Sequence, residues 1–379
     1  MTRPFIALSA TSPAPPAAAS FATPLAGLQH LRGIAALMVV AYHLQLPLER
    51  MGYGGPWPTW GAAGVDIFFV LSGFLMWHTT ADRTPGPWAF WRRRIVRIVP
   101  LYWLLTSVVV AVMLVAPGLL QSVRFDPLNV LGSYLFFFAP AASGRMEPAL
   151  VVGWTLNYEM LFYLLFGAVL WLPAAVRFAA TALAIAALVA LGRTEAMAGP
   201  LGQMYSASIL LEFVFGMAVA VWWRRTVATP VAPRGALAVL IAGAVLLATL
   251  DGLLPGLPRA VALGLPATLV VVGMLQWERA GGLPAWRRLH AIGDQSYSLY
   301  LSHPIVLSAF AQLWRVLGLH GLPGGIVLFA LLAVPVCVLA AAVLYRWVER
   351  PLLRLGGAHR AATLSAADRA GRSAGRSHG

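Results

Sequence analysis

Residues 31–43 read LRGIAALMVVAYH. Between Arg32 and His43 there is nothing but glycine, aliphatic side chains, one methionine and one tyrosine. An apolar run of this kind reads as a helix crossing a bilayer. At ~100° and ~1.5 Å per residue, Arg32 and His43 fall within about 20° of one face and about 16 Å apart. One side of the helix thus carries a cation near one end and an imidazole more than halfway across. The plain alternative is an anchoring arginine that snorkels to the interface plus a satisfied core histidine.

The chain around this stretch has the same character. Of its 379 residues, 60% are hydrophobic and 11% charged, and the mean hydropathy is +0.77. A soluble domain carries about 25% charged residues. This composition excludes an ordinary cytosolic protein, a disordered chain, and collagen-like or disulfide-scaffold classes. Apolar runs near 31–48, 62–80, 98–116, 154–172, 175–192, 204–222, 236–251, 260–277, 291–313 and 325–346 predict about ten membrane helices. The expected fold is an all-α, polytopic membrane helix bundle. A shorter run, Leu128 to Pro140, cannot span and predicts a re-entrant or interfacial segment near 127–140. The expected organisation is a tail over 1–26, a membrane domain over 27–355, and a basic Gly/Ala/Ser/Arg-rich tail over 356–379.

All 27 basic residues are arginine, against 13 acids, for a net charge of +14. In a soluble protein that balance would suggest nucleic acid; in this one the arginines read as loop charges that orient a membrane protein, and no nucleic-acid partner is expected. With ten spans and both termini cytoplasmic, only Arg50, Arg124, Arg145, Arg193, Arg259 and Arg315 fall outside. If the short run crossed, the later arginine clusters would flip outward, against the positive-inside rule. The lone cysteine, Cys337, rules out an internal disulfide and reads as core filler. No metal site is expected.

Ionisable groups at bilayer depth are expensive and point to function. They are Arg32, His43, Asp66, Glu159, Glu212, Asp294 and His303. His43, Asp66, Glu159 and His303 all fall in the outer half, and their convergence on one polar cavity is expected, with Ser72 and Asn157 as possible lining. In WRRRIVRIVP, Arg93, Arg94 and Arg97 sit where a cytoplasmic turn becomes a helix, with Pro100 near its start. Planar guanidinium groups suit bidentate phosphate binding; as a bare charge run they read as a topology signal plus lipid headgroup contact. There is no glycine-rich phosphate loop with lysine, no HExxH and no G-x-S-x-G elbow.

The ordered set LQHLRGIAALMVVAYH, GVDIFFVLSGFLM, RRRIVRIVPLYW, GWTLNYEMLFYLLF, GDQSYSLYLSHPI and VERPL resembles the acyltransferase 3 family of integral membrane acyltransferases, and within it the exopolysaccharide O-acetyltransferase branch. The resemblance covers roughly residues 27–355. It implies transfer of an acyl group, commonly acetyl, from cytoplasmic acyl-CoA to a hydroxyl of a carbohydrate in the bacterial inner membrane, with polysaccharide-biosynthesis proteins as possible partners. It implies a catalytic role for His43 and functional importance for Arg32 and the RRxxR arginines. Some members carry a further extracytoplasmic hydrolase-like domain, which this sequence is not expected to include.

The mechanistic expectation follows. His43 is general base or transient acyl carrier; Glu159 or Asp66 orients its ring; His303 positions the acceptor or donates a proton. Arg93, Arg94 and Arg97 clamp the phosphates of acetyl-CoA, and Arg32 holds the pantetheine mouth or a phosphate. Two rival classes are a proton-coupled transporter and a membrane scaffold. The transporter reading lacks the internal repeats and paired broken helices that such folds show.

Overall fold

A computed structural model describes residues 25–355 apart from 83, 120–123 and 227. The tails expected at 1–26 and 356–379 lie almost wholly outside the described residues. The described chain is helical, with no strand: α1 (Ala26–His43), α2 (Gln45–Arg50), α3 (Gly64–Thr80), α4 (Pro87–Val115), α5 (Pro127–Leu135), α6 (Trp154–Ala168) and α7 (Ala174–Leu191). There follow α8 (Pro200–Tyr205), α9 (Leu211–Thr226), α10 (Pro233–Leu253), α11 (Leu265–Arg279), α12 (Arg287–Asp294), α13 (Ser296–Val316) and α14 (Gly325–Leu344).

Eight helical segments are long and apolar enough to cross a membrane: Ala26–Arg50, Thr59–Thr80, Pro87–Val115, Ala174–Leu191, Pro200–Thr226, Pro233–Leu253, Ala260–Arg279 and Gly325–Leu355. The two other expected spans are also helices, with a physical reason for standing apart. α6 has only 15 residues. α13 has 21 residues but carries Ser296, Ser298, Ser302, His303, Pro304 and Gln312. These two helices, one short and one rich in serine, are the ones that carry Glu159 and His303.

Three boundaries differ from expectation. α4 begins at Pro87, in the first turn where a missing N–H costs little, and runs through Pro100. Arg93, Arg94 and Arg97 are therefore on a helix, not at its threshold. The expected span 291–313 divides at Gln295 into α12 and α13, which leaves Asp294 at a helix end. The short run becomes α5, capped by Asp126, whose side chain accepts from the Asn129 amide at 2.8 Å. At 9 residues it is about 14 Å long and cannot span. It ends at Phe136, the one described non-glycine residue with positive φ (58°).

Helix crossings are set by small residues. A β-carbon on Gly73 of α3 would lie 2.0 Å from the Phe213 carbonyl oxygen, and one on Gly216 of α9 would lie 2.0 Å from that of Val70. Each glycine faces the backbone of the opposite helix, which brings α3 and α9 into direct contact. Around this crossing Phe69, Phe162 and Phe213 stack, with ring centroids 4.6 and 4.4 Å apart. A second apolar cluster joins α1, α13 and α14 through Val40, Leu299, Phe329 and Cys337.

Candidate active site

Between α1, α3, α4, α6 and α13 lies a cavity of about 170 Å³. Three guanidinium groups line it, those of Arg32, Arg94 and Arg97, together with one carboxylate, Glu159. Arg94 and Arg97 share a face of α4 because they are three residues apart. Arg94 lies 5.9 Å from the ring centres of both Phe90 and Tyr163, and its buried Nε has no hydrogen-bond partner among the described residues. Arg97 pairs with Glu349 and stands 5.3 Å from the Tyr297 ring centre. Arg32 donates to Gln29 at 3.1 Å, and Gln29 donates in turn to Asp294 at 3.0 Å. Glu159 accepts from Ser72 at 3.1 Å and from Tyr163. With Glu349 counted, two carboxylates face three guanidinium groups, so the chamber keeps a cationic excess suited to an anionic ligand. Arg93 does not line it.

His43 and His303 meet elsewhere. Their rings are 4.8 Å apart in an edge-on arrangement. His43 ends α1, and its Nδ1 is 2.8 Å from the Val39 carbonyl oxygen. A carbonyl can only accept, so Nδ1 carries the proton and Nε2 keeps the lone pair. His303 is fully buried, its Nδ1 lies 3.2 Å from the Leu299 carbonyl, and its Nε2 has no partner among the described residues. Neither histidine lines the arginine cavity. Tyr300 belongs to both places: it lines the cavity, and its ring is 6.0 Å from His303. Its hydroxyl meets Thr155 at 2.8 Å and donates to the Val152 carbonyl at 3.1 Å. Phe68, 5.9 Å from Tyr300, completes this wall.

The expected convergence of four ionisable groups is therefore divided. Asp66 is fully buried against Arg259, which donates Nε to Oδ1 at 2.9 Å and Nη2 to Oδ2 at 2.8 Å. Neither Asp66 nor Glu159 touches His43, whose ring is held by the Val39 carbonyl instead. Arg259, expected only as one of the outer arginines, is the half-buried partner of Asp66 and is set just before a π-helical stretch, Ala260–Gly264. Glu349 lies in a second such stretch, Tyr345–Glu349, of the kind that often marks functional positions. The VERPL motif contained it; nothing in the spacing tied it to Arg97, 252 residues away. Among the described residues no group of three or more His, Cys, Asp or Glu is placed to hold a metal.

A model of the acyltransferase domain family matches residues 25–345. The chain belongs to this family. It is an integral membrane acyltransferase. It is 40% identical over 307 residues to the exopolysaccharide production protein ExoZ of Rhizobium meliloti, covering 80% of this chain and 92% of that protein. It is 26% identical to the acyltransferase MdmB of Streptomyces mycarofaciens, covering 89% of this chain and 93% of the relative. It is 25% identical to the peptidoglycan O-acetyltransferase OatA of Listeria monocytogenes, covering 86% of this acyltransferase but 55% of OatA. No solved structure matches it.

Proposed function

We propose that this acyltransferase moves an acetyl group from cytoplasmic acetyl-CoA to a hydroxyl of an exopolysaccharide or other cell-surface glycan, in the bacterial inner membrane with both termini cytoplasmic. Similarity to ExoZ over most of both chains favours an exopolysaccharide acceptor, free or lipid-linked, made in concert with polysaccharide-biosynthesis proteins. The observation that carries the reading is the arrangement along α1. Arg32 opens on a cationic chamber at one end, and His43 presents an unprotonated Nε2 about 16 Å away at the other.

The chemistry then runs as follows. Arg32, Arg94 and Arg97 hold donor phosphates, with Glu159 limiting their mutual repulsion. His43 Nε2 takes the proton of the acceptor hydroxyl as its oxygen attacks the thioester carbonyl. The carbon–sulfur bond breaks, and the thiolate recovers the proton from the imidazolium. His303, whose Nε2 lone pair is otherwise unpaired, accepts a hydrogen bond from the His43 imidazolium or from the acceptor hydroxyl. Tyr300 and Phe68 must part for the thioester to reach His43. Half-buried Phe68 is the side chain with room to turn.

The test is thiol release by purified protein in nanodiscs given acetyl-CoA and glycan. Acceptor-dependent thiol release that disappears in His43→Ala is expected. Equal release by that variant overturns the assignment of the base.

A further inference from the structure

A second cavity, of about 540 Å³, opens beside the first and has no part in the chemistry above. Cavities of 300–1,000 Å³ are the size that holds a drug-sized ligand. The end of α11, the loop after it, α12 and the start of α1 enclose this one. α12 is drawn tightly onto α1, since a β-carbon on Gly293 would lie 2.0 Å from the Gln29 carbonyl oxygen.

Its chemistry is aromatic and hydrogen-bonding. Trp286 stands 5.6 Å from His30, tilted by 48°, and His290 meets His30 edge-on at 5.8 Å. His30 lines the cavity, is 2% exposed, and its Nδ1 has no hydrogen-bond partner among the described residues. A buried ring nitrogen left unpaired is costly, and a ligand that pairs with it removes that cost. Asp294 lines the same cavity and connects it to the first: it accepts from Gln29 at 3.0 Å, and Gln29 accepts from Arg32 at 3.1 Å. Asp294 faces one chamber and Ser296, two residues on, faces the other. Arg287 lines the cavity as an exposed residue.

We propose that this second cavity takes the adenine nucleoside end of the acyl-CoA donor and leaves its diphosphate to the three arginines of the first. A purine offers a flat π face to Trp286, an exocyclic amine to the Asp294 carboxylate, and ring nitrogens to His30. Arg287 suits the ribose phosphate. A lipid phosphate in the same place offers no flat base to Trp286 and no N–H donor to Asp294. Glu278 is already engaged, accepting from the amides of Ala26 and Gly27 at 2.7 and 3.0 Å, and so fixes the floor rather than the ligand. The inference rests on acyl-CoA being the donor.

The experiment compares acetyl-CoA with S-acetyl-4′-phosphopantetheine, which lacks the nucleoside, using the full chain in nanodiscs. Aromatic stacking of a base is lost in Trp286→Ala, so KM for acetyl-CoA should rise about tenfold. KM for the truncated donor and kcat for both should stay unchanged, and Trp286→Phe should restore most of the affinity. Adenosine 3′,5′-bisphosphate should compete with acetyl-CoA on the wild type and about tenfold less well on Trp286→Ala. Wild type that turns over both donors, with Trp286→Ala impaired on both alike or on neither, overturns the nucleoside site and leaves the donor reading intact. Wild type that releases no thiol from either donor removes the donor reading and this proposal together.

Discussion

Replacing Arg259 by alanine separates architecture from machinery at Asp66. The carboxylate is 0% exposed and both its oxygens are held by Arg259, whose side chain is 35% exposed. Fully buried Glu212 reaches the same neighbourhood from α9. Removing one partner of a buried pair strands the other and costs about 3–5 kcal/mol. The partial exposure of Arg259 puts Arg259→Ala near the lower end, at about 3 kcal/mol. Asp66→Asn strands the guanidinium instead, which still reaches solvent and an amide oxygen, so about 1–2 kcal/mol is expected. Both changes delete one interaction, so the double variant should cost about 1–2 kcal/mol less than the two single losses added together. The assay is built into the chain: Cys337 is its one cysteine and is buried, so labelling by a thiol-reactive dye during a denaturant titration reports unfolding. Transfer per folded molecule should be unchanged in Asp66→Asn. If Asp66→Asn costs more stability than Arg259→Ala, or abolishes transfer in protein that stays folded, the purely structural assignment of Asp66 is refuted.

Three further outcomes are expected. His43→Gln should retain insertion and the thermal midpoint but lose transfer, since the amide cannot take the hydroxyl proton; substantial residual turnover contradicts the base. Arg94→Lys should raise KM for acetyl-CoA about tenfold with little change in kcat, because a point charge replaces a planar fork set against Phe90 and Tyr163. A change confined to acceptor KM contradicts the phosphate role. Gly216→Leu drives side-chain atoms into the Val70 carbonyl, 2.0 Å from a β-carbon at that position, so folded protein should be lost; normal Cys337 protection in that variant contradicts the close crossing of α3 and α9.

What sequence made legible at the site, and what it did not, divides along one geometric line. Depth in the membrane follows from counting residues along one helix, because the rise per residue is fixed. It placed Arg32 and His43 about 16 Å apart on one face of α1 and Arg94 beside Arg97, and those three arginine positions do share a cavity. The direction in which one helix's polar face points relative to another's is set by packing, and here by glycine crossings such as Gly73 on Phe213 and Gly216 on Val70, which leave no periodic mark. Equal depth therefore looked like convergence, while the helices turn Asp66 toward Arg259, Glu159 toward Ser72 and Tyr163, and the two histidines toward each other. The missed partners fit the same account. Arg259 and Glu349 adjoin or lie in π-helical stretches, where one extra residue per turn rotates the following side chains off an ideal helical face. The family motifs had named Arg32, His43 and Arg97 without saying what faces them. The separation between the arginine chamber and the histidine pair has a corollary for the proposed chemistry: in it, phosphate binding and proton transfer are divided by the Tyr300–Phe68 wall. Substitutions on the arginine side should act on donor KM, and substitutions at the histidines on kcat. A Phe68→Ala variant, which thins that wall, should speed acetyl transfer to water as well as to glycan, and a loss of both rates would mean that the wall shapes the reacting complex rather than closing it off.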